Sequence, residues 1–127
     1  MYLALVNSVT VELVKEKCIS FLKYKPGWYE GDGDYIELET VKETFRLIDV
    51  AQQNGFDEME VNPEPDGSIT LSLYYKDYML DIVTYTIHDK IMWLQKASEE
   101  VYYRDEITYD EVVRHIVNFR NEEINYE

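Results

Sequence analysis

Side chains that could do chemistry crowd into one stretch, GWYEGDGDYIELE over residues 27–39, where Glu30, Asp32, Asp34, Glu37 and Glu39 follow Trp28. Carboxylates at this density can bind a hard cation, share a proton or imitate a phosphate backbone. A calcium loop needs oxygen ligands at positions 1, 3 and 5, a glycine at 6 and a glutamate at 12. Counted from Asp32, positions 3 and 12 are Asp34 and Glu43, but positions 5 and 6 are Ile36 and Glu37. Counted from Glu30, position 6 is Tyr35 and position 12 is Val41. Neither register makes a calcium site. Acid–base work needs one carboxyl whose pKa is raised by burial or by a like-charged neighbour. Glycine-flanked acids ahead of a helix are expected to be solvated instead.

The rest of the chain supplies few catalytic groups. His88 and His115 are far apart, and no motif gives either a serine or cysteine partner. The lone cysteine, Cys18, falls on an apolar helical stripe and reads as a buried structural thiol. Zinc would need a Cys/His cluster, and a phosphate loop would need a glycine-lysine-serine/threonine run; the chain has neither. PDGSITLSLYYK begins like a metal-dependent nuclease motif, but Tyr74 stands where that motif needs an acid, two residues before Lys76. The expectation is a chain without catalytic residues, bound metal or cofactor.

The 127 residues fit one domain, and a 46% hydrophobic, 14% aromatic composition is too apolar for a disordered acidic tail. Net charge is −14, unevenly placed: residues 26–66 hold twelve acidic side chains against Lys42 and Arg46, a net −10. Such a charge repels nucleic acid and anionic membranes and favours basic partners. The opening MYLALVNSVTVELVKEK lacks a basic start and is interrupted by Glu12, so it does not read as a signal peptide. No apolar run approaches the ~20 residues of a membrane span. With no disulfide pair available, a reducing cytoplasm is the expected compartment.

The elements that must position these residues follow from periodicity. Val11, Val14, Cys18, Phe21 and Leu22 mark one buried face of a helix from about Val9 to Tyr24, ended by Pro26-Gly27; Met1 to Ser8 could extend it or form a strand. A second helix runs from about Glu37 to Asn54 with Leu38, Val41, Phe45 and Ile48 as its stripe. Thr40 and Glu43 have capping-box spacing, although the stripe starts before them. Strands follow: Glu58–Val61, then an Asp66-Gly67 turn, then SITLSLYY, whose Ile69, Leu71, Leu73 and Tyr75 share a face. Lys76-Asp77 turns the chain into YMLDIVTYTI, with Leu80, Ile82 and Thr84 on one face and Met79, Val83, Tyr85 and Ile87 on the other. KIMWLQKA is a further strand and EVYYRDEI a candidate fifth; Thr108 and Glu111 open a last helix as a capping box. Strands joined by two-residue turns are antiparallel. The expected fold is α+β: an antiparallel meander of four to five strands with helices on one face, in the order α-α-β-β-β-β(-β)-α.

That frame leaves interaction as the function to weigh. Glu30, Asp32, Asp34, Glu37 and Glu39, with Asp57, Glu58, Glu60, Glu64 and Asp66, form one negative face if the connection before the second helix lies near the first strand. Carboxylates spaced like phosphates can occupy a groove built for nucleic acid, with steered, salt-sensitive association. The bland alternative is a solvated edge that discourages strand aggregation. Twelve tyrosines offer a second surface; Tyr74, Tyr85, Tyr102 and Tyr103 are candidates for an open sheet face that could also make a homodimer.

The stretches GWYEGDGDYIELETVKETFRLI, VNPEPDGSITLSLYYKDYMLDIVTY and IMWL resemble a family of small bacterial proteins. That family has a Trp-x-x-Gly lead-in, a helix and a Pro-x-x-Asp-Gly-x-Ile-x-Leu hairpin. Trp28, Gly31, Pro63, Asp66, Gly67, Ile69 and Leu71 carry the likeness, over roughly residues 27–95. The family often has tryptophan in the next strand position, where this chain has Leu73 or Tyr74. The resemblance implies the helix–hairpin–meander fold and no particular activity. The expectation for function is a non-enzymatic acidic module that inhibits a basic, nucleic-acid-binding protein in the manner of a DNA mimic, antitoxin or anti-defence protein. Self-association through the tyrosine face is the alternative, and a small ligand-binding protein or enzyme the third. Trp28 is expected to anchor the acidic connection onto the core.

Overall fold

The computed structural model describes residues 2–56, 58–85, 90–96, 99–104 and 107–121, with side chains over 10–56, 58–85, 90 and 107–119. The described elements are α1 (Tyr2–Ser20), a 3-10 turn (Phe21–Lys23), α2 (Leu38–Gln53), β1 (Glu58–Pro63), β2 (Ile69–Tyr75), β3 (Tyr78–Thr84), β4 (Lys90–Lys96), β5 (Glu99–Arg104) and α3 (Tyr109–Asn121). The class is α+β, as expected, with an antiparallel sheet whose neighbours follow chain order from β1 to β5. The stretch left open at the N-terminus is helical from Tyr2.

Pairing fixes the two faces of the sheet. Leu71 lies between Val61 and Ile82, and Leu73 between Met59 and Leu80. These residues are buried in one cluster with Val11, Val14, Cys18 and Phe21 of the first helical segment, Val41, Leu47 and Ile48 of α2, and Val112, Ile116 and Phe119 of α3. The alternate positions form the other face: Glu58 opposite Tyr74, Glu60 opposite Ser72, and Ser72 opposite Asp81. The period-2 alternation read in β2 and β3 is therefore the division between core and open face.

Helix ends are set by local chemistry. Gly55 takes φ +86, Phe56 N–H donates to Ala51 C=O at 3.0 Å and Gly55 N–H to Gln52 C=O at 3.1 Å. That double bond satisfies the last carbonyls of α2 and needs a residue free to adopt the left-handed conformation. Thr108 Oγ1 accepts from Glu111 N–H at 3.2 Å, so the expected cap opens α3.

The buried faces of the first two helices differ from expectation. Leu22 is exposed, and so is Leu38, at 51%. In α2 the inward residues are Thr40, Val41, Glu43, Thr44, Leu47, Ile48 and Ala51, while Phe45 is half-buried. Thr40 and Glu43 do not cap this helix; Glu37 is its N-cap, without a side-chain bond. The stripe rotates because Glu43 is drawn inward. Its Oε1 lies 2.9 Å from Lys90 Nζ, and its Oε2 lies 3.2 Å from Arg46 Nη1. Thr44 meets its own hydroxyl's demand by donating to Thr40 C=O at 2.8 Å. Hydrophobicity alone ranks Leu38 above Glu43, but a paired charge can be buried where an unpaired one cannot.

Candidate acidic interaction site

The acidic connection is a small, closed piece of structure. Tyr29 and Asp32 exchange backbone bonds of 2.7 and 2.8 Å around Glu30 (φ +49) and Gly31 (φ +93). Two successive positive-φ residues give the hairpin turn that matches strand twist. Gly27 N–H donates to Gly33 C=O at 2.8 Å and closes the base. Trp28 Nε1 donates to Asp34 C=O at 2.6 Å, and its ring lies so close to Gly33 that a Cβ there would sit 2.9 Å from the indole nitrogen. Trp28 is half-buried rather than sunk in the core. It anchors indirectly, through Tyr24 at 4.9 Å and from Tyr24 to Phe21 at 5.7 Å.

This connection docks on the β1–β2 turn. Asp34 N–H donates to Pro65 C=O at 2.8 Å, and a Cβ on Gly67 would lie 3.2 Å from Tyr35 C=O. The turn itself is held by Asp66 Oδ1, which accepts from Ser68 N–H at 3.0 Å and Ser68 Oγ at 2.5 Å. Glu64 Oε1 accepts from Thr70 Oγ1 at 2.9 Å. The result is two adjoining hollows around Tyr85. One, of about 190 Å³, is lined by Asp34, Glu37 and Asp66 together with Tyr35 and Tyr85. The other, of about 470 Å³, is lined by Glu64, Asp66 and Asp81 with Thr70, Val83 and Tyr85.

The expected site is thus assembled in part. Asp34, Glu37, Glu64, Asp66 and Tyr85 come together; Glu58 and Glu60 stand on the open face of β1 beside Tyr74. Glu30 and Asp32 are exposed at the hairpin and line neither hollow. Glu39 points to solvent and lies 3.7 Å from Lys42. Asp57 lies outside the described residues. Tyr102 and Tyr103 pair through β5 with Leu94 and Trp93, and their side chains lie outside the described ones.

Asp81 was not among the expected residues. Its Oδ1 accepts from Ser72 Oγ at 2.6 Å. Burial, and secondarily Glu60, push its carboxyl above the ordinary range, against the pull of the Ser72 bond. Tyr74 is raised as well, first by burial and then by Glu60. The available signal was parity: Asp81 is the one charged residue in YMLDIVTYTI, on the face away from Leu80 and Ile82. Its neighbours come from two other strands, which parity does not reveal.

Cys18 is fully buried and burial pushes its thiol up to about 12, so the reactive thiolate is scarce at neutral pH. His115 is half-buried on α3, and His88 lies outside the described residues. Lys90 is wholly enclosed, with its ammonium 5.8 Å from the Tyr109 ring, over which Arg46 stacks at 4.2 Å. Among the described residues no group of three or more His, Cys, Asp or Glu could hold a metal ion, and no helix is long and apolar enough to cross a membrane. No family model, curated protein or solved structure matches the chain.

Proposed function

We propose that this chain is a non-enzymatic, cytoplasmic acidic interaction module whose partner is a basic protein, and that it inhibits a nucleic-acid-binding protein by occupying its phosphate-binding groove. The observation that carries this reading is the Asp34 N–H to Pro65 C=O bond. It joins the acidic connection to the acidic β1–β2 turn, so two segments of a net −10 region present carboxylates on one rigid support. Preorganised charge costs little ordering entropy on binding and steers encounter with a cationic surface. Self-association through the tyrosine-bearing face is less favourable on the same grounds. A two-fold contact there would set the face that carries Glu58, Glu60 and Asp81 against an equally acidic face of the second copy.

The test is capture of partners on immobilised protein from nuclease-treated lysate, eluted with rising salt. The expected result is a stoichiometric basic partner released by salt. Changing Asp32, Asp34, Glu37 and Glu39 together to lysine should weaken that partner's binding at least ~100-fold, about 2.7 kcal/mol, while the thermal transition stays cooperative. Unchanged affinity would remove the acidic face from the account.

A further inference from the structure

The open face of β1–β3 carries aromatic and apolar side chains between carboxylates. The half-buried Tyr74 and Met79 lie along it, with Glu58 and Glu60 on the β1 side and Asp81 in β3; Val83 of this face is buried. Its described residues include no cation, and the core cluster lies on the opposite face. At the end of this face beside the β1–β2 turn is the cleft of about 470 Å³, within the ~300–1,000 Å³ of ligand clefts. We infer that this sheet face docks an extended, arginine-bearing segment of the basic partner, with one guanidinium seated in the cleft against Tyr85 and between Asp81 and the Glu64–Asp66 wall.

The occupant follows from charge complementarity and shape. The cleft lining bears Glu64, Asp66 and Asp81, and Pro65 and the exposed Tyr85 add apolar and aromatic surface to it. A carboxylate offers about four lone-pair sites, so the single hydroxyl bonds from Ser72 to Asp81 and from Thr70 to Glu64 leave acceptor capacity for a ligand. Guanidinium is planar, permanently charged and weakly hydrated; it can bond a carboxylate through two parallel N–H groups while stacking on a ring. An ammonium makes neither arrangement. Like charge disfavours a second copy of this chain on the same face. The inference rests on the reading that the partner is basic, and adds where and through which side chain it is held.

The probe is a fluorescein-labelled peptide of alternating arginine and threonine, with a lysine–threonine counterpart, titrated by fluorescence polarisation at low salt. Wild-type protein should bind the arginine peptide about tenfold more tightly than the lysine one. Asp81→Asn and Tyr85→Ala should each weaken the arginine peptide about tenfold and remove most of that preference. Glu12→Gln and Glu16→Gln, which remove equal charge at exposed positions of α1, should leave it within about twofold. Thermal unfolding of each variant establishes that a loss is not a loss of fold. Equal binding of the two peptides, or equal effects of Glu12→Gln and Asp81→Asn, would overturn the docking site. If Asp81→Asn binds normally while the four-lysine variant does not, basic-partner binding stands and this face is not its seat. If neither cationic peptide binds any variant, the basic-partner reading falls as well.

Discussion

Asp81 is a carboxyl held in the strand environment at a cost to the folded state. Its pKa lies above the unfolded value because the strand environment withholds water and Glu60 stands nearby. Between the unfolded and folded values, the folded chain keeps a proton that the unfolded chain has lost. Stability from this group therefore falls as pH rises through that window, and the ionised form is a burden near neutrality. Asparagine keeps an acceptor for Ser72 Oγ and carries no charge. Asp81→Asn should therefore raise the thermal midpoint at about pH 7, with the difference vanishing below about pH 3, where the wild-type carboxyl is protonated in both states. A lower midpoint at pH 7 would mean that the ionised carboxylate is held by stronger donors than Ser72. Single-residue character was legible here where parity suffices, as for Ile69, Leu71, Leu73, Leu80 and Ile82, all buried. It was not legible for Asp81 and Glu43, whose surroundings come from other elements.

At the scale of elements, the Glu43 cluster links α2, β4 and α3. Glu43 contacts Lys90 and Arg46, and both cations face the ring of Tyr109. Burying Lys90 is tolerable only while its charge is answered. Glu43→Ala should cost about 3–5 kcal/mol in chemical denaturation, because it removes the carboxylate 2.9 Å from a buried ammonium. The double replacement Glu43→Leu with Lys90→Met should recover most of that loss, since well-packed apolar residues often substitute for a buried pair without penalty. Additive losses in the double variant would show that the two residues act independently. Of the fold, the start of helix α3, the C-terminal end of α2 and the hairpin from β2 to β3 were readable from a cap, a glycine and alternation. The orientation of α2 was not. Its sequence offers Leu38 and Phe45 to the core, and only the ammonium of Lys90, 47 positions further along the chain, draws Glu43 in instead.

Across the whole molecule, a net charge of −14 on 127 residues sets self-repulsion against compactness. Raising salt from about 0.01 to 0.1 M shortens the screening length from about 30 to 10 Å. Stability should rise by about 1 kcal/mol over that range, visible as a shift of ~4 °C in thermal midpoint. A flat or falling midpoint would mean that local ion pairs, such as Lys15 with Asp49 at 2.5 Å, outweigh long-range repulsion. Binding to a basic partner should move the opposite way and weaken with salt. By itself the sequence determined the α+β class, the Asp66-Gly67 turn, the Thr108 cap of α3, the burial of Cys18 and the concentration of charge before residue 67, because these depend on composition and on spacings of a few residues. Only the tertiary structure decided which acids share a surface. The backbone bond from Asp34 to Pro65 brings Asp34 and Glu37 beside Asp66, whereas Glu30 and Asp32 stay on their hairpin and Glu39 on its helix. Carboxylates have no sequence signal for proximity; what gathers them is the packing of the loops that carry them.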